Sequence, residues 1–473
     1  METVKNEYDA EGEAGQRGAY TVVRERRAAN LKSGEILQRS PKKGRCRLHT
    51  IGIGLLGFGT VGRGVYRVLA NNRETIASRL GAPLEVKKVL VRDVGMDRGI
   101  DVPPGLFTAD PSAVLEDEAV NIVVEVMGGI EPARQYVLAA FAKGKSVVTA
   151  NKDLLALHGR ELFDKALDSR ADLYFEASVA GGIPIIKILK EAFTGNRIEQ
   201  VTGIINGTTN YILSQMSDYG VDFHTALQEA QAKGFAEADP TNDVEGFDAA
   251  RKIAILASIA FNSRITLDDV YVEGIAKVKP EDIRYAREFG YVIKLLGIAR
   301  ETAAGVEVRV HPALVPCGHP LAAVSDVFNA VFVRGDAVGE TMFYGRGAGE
   351  LPTASAVVGD IVAAARNIVN NVRGLTGCTC FEAKPVRPMT AVETRYYLRL
   401  RVLDKAGVLA GIAGAFGNND VSLAAVIQKT TGAVAELVMV THRVREANLR
   451  AAVAELERLP AVETVANIIR VED

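Results

Sequence analysis

The stretch HTIGIGLLGFGTVGRGVYRVLA, residues 49–70, reads as a buried strand, a glycine-rich turn and a helix. Gly57, Gly59 and Gly62 supply the spacing G-x-G-x-x-G. The first glycine permits a tight turn, the second lets backbone N–H groups approach a pyrophosphate, and the third lets helix and strand pack closely. Alone this motif is weak, but here it follows a strand, opens a helix, and precedes a second strand, LEVKKVLVRD, residues 84–93. We therefore read a dinucleotide-binding unit whose turn is Gly57, Phe58, Gly59, Thr60, Val61 and Gly62. Arg92 and Asp93 close the second strand and argue in opposite directions. An acid there bonds the ribose hydroxyls of NAD, whereas an arginine meets the 2′-phosphate of NADP. Both cofactors stay open, with a lean to NADP, and a solvated strand end is the bland alternative for either residue.

Two more units extend this sheet: NIVVEVMGG (121–129), then the helix PARQYVLAAFAKG (132–144) and the strand KSVVTANK (145–152). Ligands of a doubly wound sheet lie beyond the carboxyl ends of its strands, where Gly128, Gly129, Asn151 and Lys152 fall. Lys152 ends an apolar strand, where a merely structural lysine has little reason to sit, which favours a role in the site. The strand ADLYFEASVAGG (171–182) carries one acid inside the apolar run, Glu176, with Gly181 and Gly182 exposing carbonyls nearby. A carboxylate with main-chain oxygens suits a bound cation, and a buried, paired glutamate fits the same residues equally well.

Downstream, IEQVTGIINGTTNYILSQM (198–216) gives a strand, a polar turn and a helix. Thr208, Thr209 and Asn210 are placed to cap that helix or to hold a carboxylate at its N-terminus. GFAEADPTNDVEGFDAARK (234–252) then crowds Glu237, Asp239, Asp243, Glu245 and Asp248 around Pro240 and Gly246, which predicts a loop. From Phe247 the pattern is helical. Ala249, Ile253, Leu256 and Ala260 keep a buried face, and Asp248 with Lys252 shares a neighbouring one. Such a pair is most often a surface ion pair; after a nucleotide-binding half-chain we read it as a positioned ammonium. EVRVHPALV (307–315) and NAVFVRGDAVGETMFYGRGAGELP (329–352) alternate with a period of two, predicting antiparallel strands in a mixed sheet. A last helix, TASAVVGDIVAAARN (353–367), follows Gly345, Gly347 and Gly349, which lie against the cofactor or merely form a tight turn.

At 473 residues the chain exceeds one core, and about 150 residues per domain suggests about three. With 48% hydrophobic and 24% charged residues it has the composition of a soluble globular protein. A net charge of -2 gives no electrostatic case for nucleic acid or an anionic membrane. No apolar run approaches the ~20 residues that span a bilayer. Cys46, Cys317, Cys378 and Cys380 are too sparse for a disulfide scaffold, and the CxC pair lacks nearby histidines for a metal. A reduced, cytoplasmic protein is expected. Residues 1–48 carry mixed charge, end in the basic SPKKGRCR and contain Glu2, Glu7, Asp9, Glu11 and Glu13. They read as a disordered tail rather than a transit peptide or secretory signal.

Taken together, GFGTVG, TANK, EASVAGGIPI, NGTTNYIL, GFAEADPTNDVEGFDAARK and GRGAGELPTA resemble homoserine dehydrogenases over residues 51–371. The resemblance implies that Lys252 donates and accepts the proton and that Lys152 sits at the substrate and nicotinamide. It implies that Glu237 and Asp248 bind the amino acid substrate, with Asp243 and Thr208 close by. Glu176 and the main chain of Val179, Gly181 and Ile183 match the family's monovalent-cation site, described with sodium. Gly234 and Gly349 match positions near the dinucleotide. The implied reaction reduces aspartate 4-semialdehyde to homoserine, on the branch toward threonine, methionine and isoleucine. The residues suit that reaction in their own right: an α-ammonium group suits a carboxylate-rich loop, and an aldehyde needs a hydride, from the nicotinamide, and a proton. A lysine with an ordinary pKa of ~10.4 is protonated at neutral pH and can act as general acid, but must be neutral to act as base. Alcohol oxidation is therefore expected to rise toward alkaline pH.

Residues 374–393, rich in glycine, proline and polar residues, read as a linker. Beyond them strand, helix, strand, strand, helix and strand complete a ferredoxin-like unit over 394–473. DKAGVLAGIAGAFGNNDVSL (404–423) resembles an ACT domain, a family that often binds amino acids at its strand-to-helix turn, here Asp404, Ala406, Gly407, Val408 and Leu409. A threonine-sensing site is one reading and a dimerising module without ligand is the other. The expected architecture is α/β: a Rossmann-type doubly wound dinucleotide-binding domain over 49–180, completed by 350–371; a mixed-sheet α+β substrate and dimerisation domain over 181–373; and the C-terminal ferredoxin-like ACT domain. A homodimer or homotetramer acting on a small-molecule substrate is expected, with no nucleic-acid or membrane partner. No kinase portion fits the leading tail, so a monofunctional enzyme is expected. Two other classes compete: another semialdehyde dehydrogenase on the same fold, and a silent sensor in which both lysines are dispensable.

Overall fold

The apolar run that opens the motif folds as β1 (Ile51–Leu56), buried along its whole length, in a computed structural model that describes residues 50–374, 377–429 and 432–472. The tail expected at 1–48 lies outside the described residues. With β2 (Leu84–Leu90), β3 (Phe107–Thr108), β4 (Ile122–Glu125), β5 (Ser146–Thr149) and β6 (Leu173–Tyr174) it forms one sheet in the order β3-β2-β1-β4-β5-β6, every pair parallel. Strands covered on both faces need apolar side chains on both, which is why β1 reads as an unbroken apolar run and β4 as one up to Glu125. The strand order reverses between β1 and β4, opening a crevice at their carboxyl ends. The distant helix Glu350–Val369 helps cover this sheet: Ala354, Val357, Ile361 and Ala364 share one core with Ile53 and Val65.

Two boundaries differ from the sequence expectation. The strand expected over 171–182 stops at Tyr174, because the Glu176 N–H donates to the Asp360 carboxylate (2.8 Å) instead of to a neighbouring strand. Glu176 therefore opens a short 3-10 turn, Glu176–Ser178, and the chain reverses through Ala180 (φ 56°) and Gly181 (φ 52°). A Cβ at Gly181 would lie 2.4 Å from the Gly347 carbonyl oxygen, so the two glycine loops touch backbone to backbone. Likewise β5 ends at Thr149, and Lys152 is not a strand residue but the first residue of the helix Lys152–Asp168, capped by Asn151 Oδ1 accepting from Leu154 N (3.1 Å).

The second sheet contains β7 (Ile198–Ile204), β8 (Tyr271–Val272), β9 (Tyr291–Thr302), β10 (Gly305–Pro316), β11 (Phe328–Gly335), β12 (Gly339–Arg346), β13 (Glu393–Leu403), β14 (Leu423–Gln428), β15 (Val434–Thr441), β16 (Val444–Arg445) and β17 (Val462–Val471). Its order is β12-β11-β7-β9-β10-β17-β13-β15-β14, with β8 on β10 and β16 on β13. The last four strands of that path, with helices Val408–Asn418 and Glu446–Leu456, are the ferredoxin-like unit expected at the C-terminus. β17 pairs in parallel with β10 at Ala313–Arg470 and Leu314–Val471, so this unit continues the substrate sheet. The polar alternation of β10 is consequently buried: Arg309 donates to Glu307 (3.0 Å) and to Glu472 (2.7 Å), just past β17. No helix among the described residues is long and apolar enough to cross a membrane.

Candidate active site

The helix Phe247–Ala260 begins at Gly246, whose φ of 87° suits glycine, and buries Ala249, Ile253, Leu256 and Ala260 as the sequence spacing predicts. Asp248 lies in its first turn, where a negative charge is favoured by the helix dipole, and is only 5% exposed. One turn later Lys252 Nζ donates to Asp248 Oδ2 (2.6 Å) and to the Ile205 carbonyl (2.8 Å). Lys152 Nζ, delivered from beyond β5, pairs with Asp248 Oδ1 (2.5 Å). One buried carboxylate thus clamps an ammonium from each of two helices. Burial opposes ionisation of Asp248, but Lys252 and then Lys152 outweigh it and hold the carboxyl well below the usual range. Burial also opposes charge on Lys152; Asp248 outweighs it and raises the lysine above its ordinary value. An ammonium has three N–H donors. Lys252 commits two to protein, which leaves one for a substrate oxygen.

Asn206 organises the surrounding acids: its Nδ2 donates to Asp243 Oδ1 (2.6 Å) and Asp248 Oδ2 (2.9 Å). It is also the cap of helix Gly207–Tyr219, accepting from Thr209 N (2.9 Å), so that role does not fall to Thr208, Thr209 or Asn210. Thr208 instead donates to the Phe235 carbonyl (2.7 Å), tying the acidic stretch to this helix, and Asn210 donates to the carbonyls of Asp326 (2.9 Å) and Phe328 (3.2 Å). The stretch expected as loop contains one helical turn, Thr241–Val244, started after Pro240. Glu237 is exposed in that stretch and stands outside the Asp248 ion pairs. Gly234 precedes it at φ 73°, and Gly349 (φ 122°) leads into helix Glu350–Val369.

Beyond the reversal point of the parallel sheet lies a cleft of about 760 Å3 whose lining includes Gly57, Phe58, Gly59, Thr60, Arg92 and Asp93. The three motif glycines differ as a phosphate cradle requires. Gly57 has φ 104°; a Cβ on Gly59 would meet nothing within 4 Å; one on Gly62 would lie 2.4 Å from the Gly57 carbonyl oxygen. The turn is therefore open where a pyrophosphate would approach and closed where the helix packs, and it fits a dinucleotide. Asp93 Oδ1 accepts from Gly95 N (2.9 Å), so this acid supports its own turn, while Arg63 and Arg98 join Arg92 in the cleft. Arg63 Nε is buried with no hydrogen-bond partner among the described residues.

The sequence did not single out Arg63, Arg98 or Glu125. Glu125, buried at the end of β4, accepts from Thr149 Oγ1 (2.6 Å), Met127 N (3.0 Å) and Gly128 N (3.3 Å), and burial pushes its carboxyl up. It shapes the Gly128–Gly129 turn, whose second carbonyl accepts from Asn151 Nδ2 (2.6 Å). An acid inside the otherwise apolar NIVVEV was the available signal.

At the matched cation motif both Glu176 side-chain oxygens accept backbone amides, from Ile186 (2.7 Å) and Lys187 (2.8 Å). In the C-terminal unit, Asp404, Ala406, Gly407 and Leu409 are exposed in the turn from β13 into helix Val408–Asn418, with Val408 partly covered. Asp404 Oδ1 accepts from Gln428 Nε2 (3.0 Å) and Gly407 adopts φ 89°.

Family models agree with these parts in order: "Homoserine dehydrogenase, NAD binding domain" matches residues 57–176, "Homoserine dehydrogenase" 184–362 and "ACT domain" 396–461. A homoserine dehydrogenase of Mycobacterium tuberculosis (strain ATCC 25618 / H37Rv) is 50% identical over 435 residues, covering 89% of this chain and 98% of that protein. The chain belongs to the homoserine dehydrogenase family. The crystal structure of a homoserine dehydrogenase from Thiobacillus denitrificans matches with a TM-score of 0.85 at 46% identity, covering 90% of this chain and 98% of that one. A hyperthermophilic archaeal homoserine dehydrogenase mutant, solved in complex with NADPH, matches with a TM-score of 0.57 at 29% identity, over 67% and 97% of the chains. Within this family the chain is an oxidoreductase with an NAD(P)-binding domain and a C-terminal ACT domain.

Proposed function

We propose that this enzyme reversibly reduces L-aspartate 4-semialdehyde to L-homoserine, with Lys252 as proton donor and acceptor. The observation that carries the reading is the buried Asp248 holding Lys252 and Lys152 at 2.6 and 2.5 Å, with Lys152 next to Asn151, which bonds the Gly129 carbonyl beyond β4. A bound nicotinamide supplies the hydride. Lys252 gives the proton from its uncommitted N–H to the new alkoxide and takes it back in the reverse direction. Lys152, at the junction of cofactor and substrate, stabilises developing negative charge on the same oxygen. Asp243 and Glu237 receive the substrate α-ammonium, and the amides at Thr208, at a helix N-terminus, its carboxylate. The Gly57–Gly62 turn, Gly128, Gly234 and Gly349 would hold the dinucleotide.

NADP is the preferred cofactor in this reading. Arg92 and Arg98 line the cleft while Asp93 is engaged by Gly95, and one family member was solved with NADPH. A sodium ion held by main-chain oxygens of Glu176, Val179, Gly181 and Ile183 supports the nearby glycine loops. The ACT turn at Asp404–Leu409 senses threonine, the end product of one branch, in a cytoplasmic homodimer or homotetramer. The domains divide at residues 180, 373 and 393, with helix 350–371 returning to the nucleotide domain. The test follows NADPH and NADH oxidation at 340 nm with aspartate semialdehyde and a panel of other aldehydes, with and without millimolar threonine. Preference for the semialdehyde with NADPH, and loss of rate with threonine, support the reading; turnover of another aldehyde alone sinks the substrate assignment.

A further inference from the structure

Behind the catalytic helix lies a second cavity, of about 440 Å3, between helices Lys152–Asp168 and Phe247–Ala260, the two that begin at Lys152 and carry Lys252. Its lining mixes Phe163, Phe175 and Ile255 with charged residues such as Asp164 and Arg264, and Cys378, Cys380 and Lys190 sit among them. None of these three takes part in the chemistry proposed above. The Cys380 backbone N–H donates to Cys378 Sγ (3.4 Å), so the backbone of this turn already folds onto the first sulfur. Cys380 Sγ lies 3.8 Å from the carbonyl oxygen of Ser258, nearly three turns beyond Asp248 on the catalytic helix. Lys190 Nζ donates to the Gly377 carbonyl (3.1 Å) and stands over the rings of Phe163 (5.4 Å) and Phe175 (5.3 Å). A cation is thereby fixed against two aromatic rings beside the two sulfurs. Cys378 is exposed at the surface, where a small oxidant reaches it.

Two thiols without a third metal-ligating side chain do not complete a metal site, and no His, Cys, Asp or Glu cluster of that kind occurs among the described residues. The same two thiols do satisfy the reach of a disulfide, since two residues of chain span at most about 7 Å. We propose that Cys378 and Cys380 are an oxidisable dithiol that hydrogen peroxide converts to an intrachain disulfide at the back of the catalytic helix. Cys378 thiolate attacks the peroxide; an S–O bond forms, the O–O bond breaks, and the departing hydroxide leaves as water after taking a proton. Cys380 sulfur then attacks the sulfenic acid; the S–S bond forms, the S–O bond breaks, and the Cys380 proton leaves with the hydroxide as a second water. Two electrons pass from the sulfurs to the peroxide. The Cys380 thiol, the Cys380 backbone N–H and the Lys190 ammonium together lower the Cys378 thiol to about 6 against the effect of burial, while the neighbouring thiol raises Cys380. This assigns the attack to Cys378 and the resolving step to Cys380. Closure withdraws the Cys380 thiol from Ser258 and so registers oxidation at the helix that carries Asp248 and Lys252.

The test uses the full chain with Cys46→Ser and Cys317→Ser, treated with equimolar hydrogen peroxide, alkylated, digested and weighed. The expected result is simultaneous loss of both alkylatable thiols, a peptide about 2 Da lighter, and full recovery with dithiothreitol. In the same chain with Cys380→Ser, dimedone is expected to trap a sulfenic acid on Cys378. The proposal is overturned if both thiols stay alkylatable, if the sulfurs link two chains on a non-reducing gel, or if Cys378 goes directly to sulfinic acid while Cys380 stays free.

Discussion

Asp248→Asn keeps the shape of the residue and removes the charge that two ammonium groups share. Lys152 and Lys252 would then repel across a buried site, and breaking a buried pair typically costs about 3–5 kcal/mol. We expect a lower thermal midpoint together with a fall in kcat, both measured against wild type on one preparation. A separate residue, His311, predicts how the fold responds to acid. Burial first, then the charges of Arg470 and Arg309, keeps its ring neutral well below the ordinary histidine range. In the unfolded chain a histidine binds a proton near 6.5, so below that pH the unfolded state holds more protons and stability falls as pH falls. Urea unfolding at pH 5 to 7 should show this slope, at most about 1.4 kcal/mol per pH unit for one proton. His311→Asn should flatten it, because no ring is left to protonate.

At the scale of elements, the motif turn makes two glycines separable. Gly59→Ala adds a Cβ into open space over the turn, whereas Gly62→Ala drives one to within 2.4 Å of a carbonyl oxygen. The first should leave the melting temperature unchanged and raise the KM for the dinucleotide. The second should lower the melting temperature, and equal effects from both would contradict the cradle. This turn was legible in the sequence because its chemistry is local: three glycines, a strand before and a helix after. The Asp248–Lys252 pair was legible for the same reason, since four residues on a helix fix their meeting. Asn206 was not, because its partners, Asp243 and Asp248, lie 37 and 42 residues away and only the folded sheet brings them together. Nor was the end of the strand at Tyr174, which depends on Asp360, 184 residues beyond Glu176. β9 gives no clear signal because both its faces are buried, Ile293, Leu295 and Ala299 in one core and Leu296 and Ile298 in another, so it lacks the clean alternation of a half-exposed strand.

For the whole molecule, the C-terminal unit is joined to the catalytic part through buried charge as well as backbone pairing. Arg399 bonds Asp282 of helix Pro280–Glu288 (2.7 Å), Asn467 donates to the same carboxylate (2.7 Å), and Arg470 bonds Glu273 (2.8 Å). Next to Glu273, Gly274 packs so closely on the acidic stretch that a Cβ would lie 2.3 Å from the Val244 carbonyl oxygen. Removing residues 394–473 would therefore deprive the buried Asp282 of Arg399 and Asn467, and the buried Arg309 of Glu472. The truncated chain should be insoluble or melt well below the full chain, and an equal melting temperature would show the unit to be an independent appendage. Resemblance could name this unit from its turn, but not its place in the sheet, which rests on two residue pairs between β10 and β17.

The most direct test of the central claim is turnover of aspartate semialdehyde with NADPH by wild type and Lys252→Ala, with NADPH binding measured by fluorescence on both. Positioned proton transfer contributes about 10²–10⁴-fold, so the account predicts a loss of that size with cofactor binding unchanged. A Lys252→Ala enzyme that keeps wild-type turnover, or a wild type with none, would contradict it.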